Sequence, residues 1–269
     1  MKISEIIIEG ARDAKEIGNI TSEIINFVSE NNFPIVNRIA KRNNGDYHFN
    51  KDVFSISGVA LKNQYDVLDS LIKSNLSFWF VNNIKNSYFS GDGGGQIRIN
   101  HPSKNFISTL KYNIESSHDL RDLEDGSFSK EDCIKILKIS VGASYRRIIA
   151  HEIQHALDYL KSKGKYTSDL KSKNYYKKLI SDPRDINSKD MSQKEYLTYL
   201  NLPHEYWARF TEYVADNSPY FFTNPFDKVL KDFKDSNIIR FNSIKSSKDK
   251  RRLLKAIYKV WEDNKKSEK

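Results

Sequence analysis

Residues 151–155 read His-Glu-Ile-Gln-His. On a helix, two histidines four apart sit one turn up the same side, so both imidazoles can reach one metal ion. Glu152 then lies about 100° round from His151 and about 60° from His155. It borders such an ion without having to bind it. That position suits a general base acting on a metal-bound water.

The surrounding residues support a helix with two working faces. Ile149, Ile153, Ala156, Leu157 and Leu160 recur at i, i+4, i+7, i+8 and i+11, the pattern of a core-facing stripe. The histidines point almost opposite that stripe, in the company of Ile148 and Tyr159. A core face backed by a partly apolar histidine face fits the wall of a cleft.

A catalytic zinc takes three protein ligands and keeps one position open. The pentapeptide supplies two. Candidates for the third are Glu205, Glu212, Asp158 and the histidines at 48, 101, 118 and 204. Asp158, three residues beyond His155 on the same helix, is better placed to hold a ligand imidazole than to bind the metal. Residues 203–216 form a second helix opened by Pro203. Tyr206, Trp207, Phe210, Tyr213 and Val214 make its apolar side, and Glu205, Ala208, Arg209, Glu212 and Asp216 make the other. Three carboxylates and an arginine around an alanine suit a helix that approaches a metal closely. The same residues also fit a solvated face with Glu205–Arg209 as an ordinary i, i+4 ion pair.

The segment Glu205-Tyr206-Trp207-Ala208-Arg209-Phe210 resembles the Glu-x-x-Ala stretch of gluzincin metallopeptidases, where H-E-x-x-H is followed on a later helix by a glutamate ligand. It is similar to the corresponding stretch of the anthrax lethal factor-like and Pro-Pro endopeptidase families, and of phage and bacterial metallopeptidases carrying Pro-x-Glu-x-x-Ala-Arg. The resemblance covers residues 144–216. It implies one zinc ion per chain on His151, His155 and Glu205, with Glu152 as the base. The activity it implies is a zinc-dependent endopeptidase that hydrolyses peptide bonds by Glu-assisted attack of a zinc-bound water. The fold it implies is α+β and zincin-like, mainly helical with a small mixed sheet. Glu212-Tyr213-Val214-Ala215-Asp216 also matches the thermolysin-like Glu-x-x-x-Asp pattern, which makes Glu212 the rival third ligand. Lethal factor-like peptidases use a tyrosine shortly before the glutamate ligand to stabilise the oxyanion; Tyr199, with Tyr196 close by, occupies that neighbourhood. The Met-turn pattern with a third histidine is absent, which argues against a metzincin.

The rest of the chain must position these groups. Its 269 residues, 38% hydrophobic with 15 Phe and 15 Tyr, suffice for a real core. We divide it into an N-terminal helical arm or lobe, residues 1–45, and a site-bearing domain, residues 46–269. Residues 3–30 read as helical, with Gly10, Gly18 and Asn19 arguing for two pieces, and residues 35–42 as another short helix. Asn43–Asp46 reads as a turn. Strands are expected at 47–56, 76–81, 88–89 and 96–100, the last two joined by a glycine-rich hairpin connection, and a helix at 64–74. Residues 104–125 carry no clear pattern. Ser129 caps a helix that Gly142 either separates from the motif helix or bends into it. Residues 164–195 are a polar excursion with a short helix at 172–180, and 226–233 and 248–263 are basic amphipathic helices. Gln96–Asn100 is the expected edge strand for an extended peptide.

A single cysteine, Cys133, excludes an intrachain disulfide and a cysteine-rich zinc site. No apolar run reaches a membrane span, and no signal sequence opens the chain, so cytoplasmic residence is expected, or a place on a virion for a phage-borne gene. The formal charge of +9 is interleaved with acids, so a solvated surface accounts for it better than nucleic acid does. A peptide or protein substrate is the expected partner. The competing reading is a basic binding protein, for nucleic acid or protein, whose zinc site is structural or degenerate.

Overall fold

One long helix carries the motif and sets the architecture. The structure is a computed structural model that describes residues 3–39, 41–43, 46–48, 59–60, 77–81, 84, 86–90, 95–117, 128–161, 192, 199–200 and 202–266. In chain order the elements are α1 (Ile3–Asn32), α2 (Pro34–Ile39), β1 (Lys41–Asn43), β2 (Asp46–His48), β3 (Val59–Ala60), β4 (Ser77–Val81), β5 (Tyr88–Ser90) and β6 (Gln96–Asn100). Then come α3 (Lys104–Glu115), α4 (Lys130–Lys161), α5 (Pro203–Thr223), α6 (Phe226–Asp235), a 3-10 turn at Phe241–Ser243, and α7 (Ser247–Lys266). The class is α+β and mainly helical, with a small mixed sheet. No helix among the described residues is long and apolar enough to cross a membrane.

The helix α4 runs unbroken for 32 residues. Ser129 caps it as expected: its Oγ accepts the Asp132 N–H at 3.1 Å, while Glu131 and Asp132 place charge at the positive end of the dipole. Gly142 neither breaks nor separates it. A Cβ there would meet only the Arg146 side chain, at 3.6 Å, so ordinary helix geometry continues through. One side of α4 buries Cys133, Leu137, Val141, Tyr145, Ile149, Ile153, Ala156 and Leu157 against α1, α3 and the sheet.

The sheet order is β3-β4-β6-β5, with β4 and β6 parallel and the outer pairs antiparallel. Ile97 and Ile99 face the core and alternate with Arg98, as the period predicts. The expected edge strand, Gln96–Asn100, is instead interior, because Ser77–Val81 pairs along its other side. The sheet ends on β5, whose outer edge has no partner strand among the described residues, and on β3. Register explains the misreading: alternation identifies a half-buried strand but says nothing about how many neighbours it has.

Two other expectations shift. Residues 3–32 form one helix rather than two, because Gly18 serves contact, not termination. A Cβ at Gly18 would lie 3.5 Å from the Ala215 Cα of α5, so the glycine sits where two helix backbones come close. Residues 104–115 form α3, capped by Ser103 and buried through Phe106, Leu110 and Ile114 at strict four-residue spacing. The hairpin β1–β2 brings Asn43 opposite Asp46, matching the expected turn. The expected strand beyond residue 48, the helix at 64–74 and the excursion at 164–195 lie outside the described residues, Ser192 apart.

An aromatic cluster ties α4 to the sheet and α3. Buried His101 lies against Phe80, Phe106 and Tyr145, and its Nδ1 accepts the Tyr145 hydroxyl at 2.8 Å. Tyr145 in turn accepts the Ser103 N–H at 3.2 Å. The buried His101 Nε2 has no hydrogen-bond partner among the described residues. Burial pushes its pKa from 6.5 down to about 4.

Two predictions follow from this packing. Gly18→Ala should fit and stabilise by roughly 0.5–1 kcal/mol through helix propensity, whereas Gly18→Leu should cost about 1–3 kcal/mol by prising α1 from α5; urea unfolding of both variants checks the sign. For His101 the folded pKa lies below the unfolded one, so the unfolded chain takes up a proton that the native state refuses. Its stabilising effect is complete above pH 6.5 and erodes as pH falls towards 4, by roughly 3 kcal/mol. His101→Phe should flatten that acid limb by one proton in unfolding free energy measured against pH.

Candidate metal centre

The two histidines leave α4 on the face opposite its core stripe and meet α5. His151 Nε2 and His155 Nε2 point at each other, 2.8 Å apart. The Glu205 carboxylate, from the first turn of α5, places its oxygens 3.7 Å from His151 Nε2 and 3.6 Å from His155 Nε2. Pro203 starts α5 and leaves Glu205 in its first turn, where the helix dipole favours a carboxylate. These three residues form a group whose ligand atoms all lie within 4.8 Å of one another. His151 and His155 are partly buried and Glu205 is buried.

The donor set fits a metal ion. Around a tetrahedral zinc, nitrogen and oxygen donors at 2.0–2.2 Å stand roughly 3.3–3.5 Å apart. The two histidine–glutamate separations are already near this value, and the imidazoles need only open by roughly half an ångström. The close nitrogen pair has a simple cause. Burial opposes charge on His151, but the hydrogen bond and charge of Glu212, with Glu205 and Glu152, raise its pKa to about 9. One ring donates to the other across this pair, according to their tautomers. A metal entering here takes that proton's place.

Glu212 occupies a different position from the one weighed for it as rival ligand. Its Oε1 accepts from His151 Nδ1 at 2.6 Å, on the far side of the ring from the other donors. This leaves Nε2 as the nitrogen directed at the group, the arrangement in which a carboxylate orients a metal-bound imidazole. Glu212 Oε2 is in turn held by Arg147 Nη2 at 3.3 Å. Asp158 accepts from Gln154 Nε2 at 2.8 Å. The Gln154 Oε1 accepts the Thr211 hydroxyl at 2.8 Å, so the motif helix and α5 are pinned together beside the histidines.

Glu152 is buried and takes a hydrogen bond from the Phe89 backbone N–H on β5. Burial pushes its carboxyl up to about 7; His151 and the Phe89 N–H oppose this, while the charges of Glu205 and Glu212 add to it. Burial likewise raises the Glu205 carboxyl, opposed by His151, by a hydrogen bond from Tyr199 and by Arg209. Tyr199 thus reaches the third candidate ligand directly. Arg209 is not an exposed ion-pair residue. It is buried, and donates to the carbonyls of Glu205 at 3.2 Å, Ile239 at 3.1 Å and Leu200. It therefore anchors the Tyr199–Leu200 segment to α5. Asp216 is exposed and its charge acts on Arg146, away from the group. His101 belongs to the aromatic cluster, and the side chains of His48, His118 and His204 lie outside the described residues.

The structure thus brings His151, Glu152, His155, Tyr199 and Glu205 together. What sequence reasoning missed is the supporting shell: Glu212 behind His151, Arg147 behind Glu212, Thr211 on Gln154, and the Phe89 amide on Glu152. Glu212 was within reach, since seven residues after Glu205 places it on the same helix face. Compared with protein-family models, curated proteins and solved structures, the chain matches none.

Glu205→Ala should abolish tight zinc binding, whereas Glu212→Ala should retain the metal with affinity lowered about 10- to 100-fold. Competition against a chromogenic chelator measures both, with circular dichroism as the check on folding. Loss in the opposite order would make Glu212 the ligand.

Proposed function

We propose that this protein is a zinc-dependent endopeptidase of gluzincin type and zincin-like fold. The observation that carries the reading is the convergence of His151, His155 and Glu205 beside a buried carboxylate, Glu152, that belongs neither to the ligand set nor, among the described residues, to any ion pair with a lysine or arginine. A structural metal site has no need of such a neighbour, and this favours the peptidase over a binding protein with a structural zinc.

His151, His155 and Glu205 would hold the metal, which when bound supplies a Lewis acid for a carbonyl oxygen and lowers the pKa of water. Glu212 keeps the His151 Nε2 lone pair directed at the group. Glu152 takes a proton from the attacking water at its carboxylate and delivers it to the departing amide nitrogen. The Tyr199 hydroxyl, which here donates to Glu205, would turn its single proton to the oxyanion as the carbonyl becomes tetrahedral. The free edge of β5 receives the extended peptide by strand addition, in place of β6.

Glu152→Gln nearly preserves volume and leaves the three donors untouched. It should give a folded, zinc-loaded protein whose peptide cleavage is slower by roughly 10²–10⁴. A peptide library cut by the wild type and protected by a chelator provides the assay. Cleavage by Glu152→Gln at the wild-type rate would remove the general base, and a zinc-loaded wild type that cuts no library member would favour the structural site.

A further inference from the structure

The sheet has a second face, turned away from α4. Trp79 on β4, Arg98 on β6 and Tyr88 on β5 are direct cross-strand partners, so their side chains leave the sheet on that side as one row. Arg98 stands in the middle and is fixed in place. Its Nε and Nη2 donate to Gln96 Oε1 at 3.2 and 2.9 Å, and its Nη1 donates to the Tyr88 hydroxyl at 3.3 Å. All of these partners are uncharged. Among the described residues no carboxylate forms an ion pair with Arg98. A guanidinium has five N–H donors, and three are used here. The result is a preorganised cation with two spare donors, leaning towards the edge strand.

The register of β5 connects this cation to the centre described above. The Phe89 N–H goes to Glu152, so that backbone group points to the free edge and not towards β6. A strand added at this edge has one residue opposite Phe89, whose side chain faces α4, where Phe89 packs on Tyr159. The next residue lies opposite Tyr88. Its side chain emerges on the outer face, with its Cβ about 4.5–5.5 Å from that of Tyr88. From there a short carboxylate side chain extends along Tyr88 towards the spare N–H groups of Arg98.

We propose that Arg98 makes this a peptidase for substrates bearing an Asp or Glu at the residue opposite Tyr88. The inference rests on the peptidase reading and names its substrate class. Charge-assisted, forked hydrogen bonding to a carboxylate is what an uncompensated guanidinium recognises, and a lysine at the same place meets like charge. The formal charge of +9 acts in the same direction by drawing acidic segments to the surface. Among the described residues the other outer-face neighbours, Ser77, Val81, Gln96, Asn100 and Ser90, are uncharged, which points to selection at a single position and not of a polyanion.

The test uses zinc-loaded full-length protein and a quenched peptide that the wild type cuts, with each position around the scissile bond changed in turn to Glu, Gln or Lys. One position should prefer Glu over Lys by about tenfold or more in kcat/KM. Arg98→Gln should level that preference, and Arg98→Glu should reverse it, both with unchanged zinc content and thermal unfolding. The same peptides, bound to zinc-loaded Glu152→Gln and followed by fluorescence anisotropy, should show the same order. A Glu preference that survives in Arg98→Glu overturns the proposal, as does cleavage by the wild type with no charge preference at any position. A wild type that neither cuts nor binds any peptide overturns the peptidase reading itself.

Discussion

The hydrogen bond between His151 Nδ1 and Glu212 joins the motif helix to α5 at 2.6 Å, and the site depends on it. It fixes the ring, and so fixes which nitrogen faces His155 and Glu205. It also bears on charge. Glu152, Glu205 and Glu212 crowd a small, largely buried volume, and the cations near them are few. Buried carboxylates are tolerated only when paired or hydrogen-bonded. Here His151 bonds Glu212 and lies beside Glu205, Arg147 holds the outer oxygen of Glu212, and the Phe89 amide serves Glu152. A divalent cation between the imidazoles and Glu205 completes this balance, and the same charges that hold the proton attract the ion.

Holding these groups in place takes a framework that meets backbone to backbone. Gly18 of α1 meets α5 at Ala215, three residues beyond Glu212. Thr211 and Gln154 lock α5 to α4 within one turn of both histidines. Arg209 gathers three carbonyls from separate stretches of chain, so the residues before α5 cannot drift from Glu205. The centre lies between two apolar clusters. One joins α1, α3, α4 and the sheet, and the other joins α5, α6 and α7. The ligand helices belong one to each. The metal group therefore lies where the two clusters meet, beside apolar contacts that also cross between them, with Ala215 of α5 in the first cluster and Ala14 of α1 in the second.

Much of the site was legible because helix geometry is local. Spacing alone placed His151 and His155 on one face and Glu205 and Glu212 on another, and the structure makes those faces meet. Local patterns also found the Ser129 cap, the strands at 77–81, 88–90 and 96–100, and the amphipathic α6 and α7. Non-local facts escaped. Gly18 read as a break and Gly142 as either a break or a bend, yet neither has a positive φ in its helix, and the first lies against Ala215. The interior place of β6 depends on a parallel partner far earlier in the chain. Arg209 looked like half of an i, i+4 ion pair, but the carbonyls it serves belong partly to segments that no spacing rule connects. The role of Glu212 escaped for a different reason: spacing puts a carboxylate near a metal but does not say which nitrogen of which ring it will meet.

The Phe89 amide links the sheet to the chemistry. In an antiparallel ladder a residue's N–H and C=O point to the same side of the strand. Since the Phe89 N–H goes to Glu152, its carbonyl also faces the unpaired edge of β5. One residue of the edge strand thus secures the proposed base and offers an acceptor to an incoming strand. A bound peptide would be registered on the group that fixes Glu152, so docking and proton transfer would share one reference point. That arrangement makes β5, only three residues long, more consequential than its size suggests.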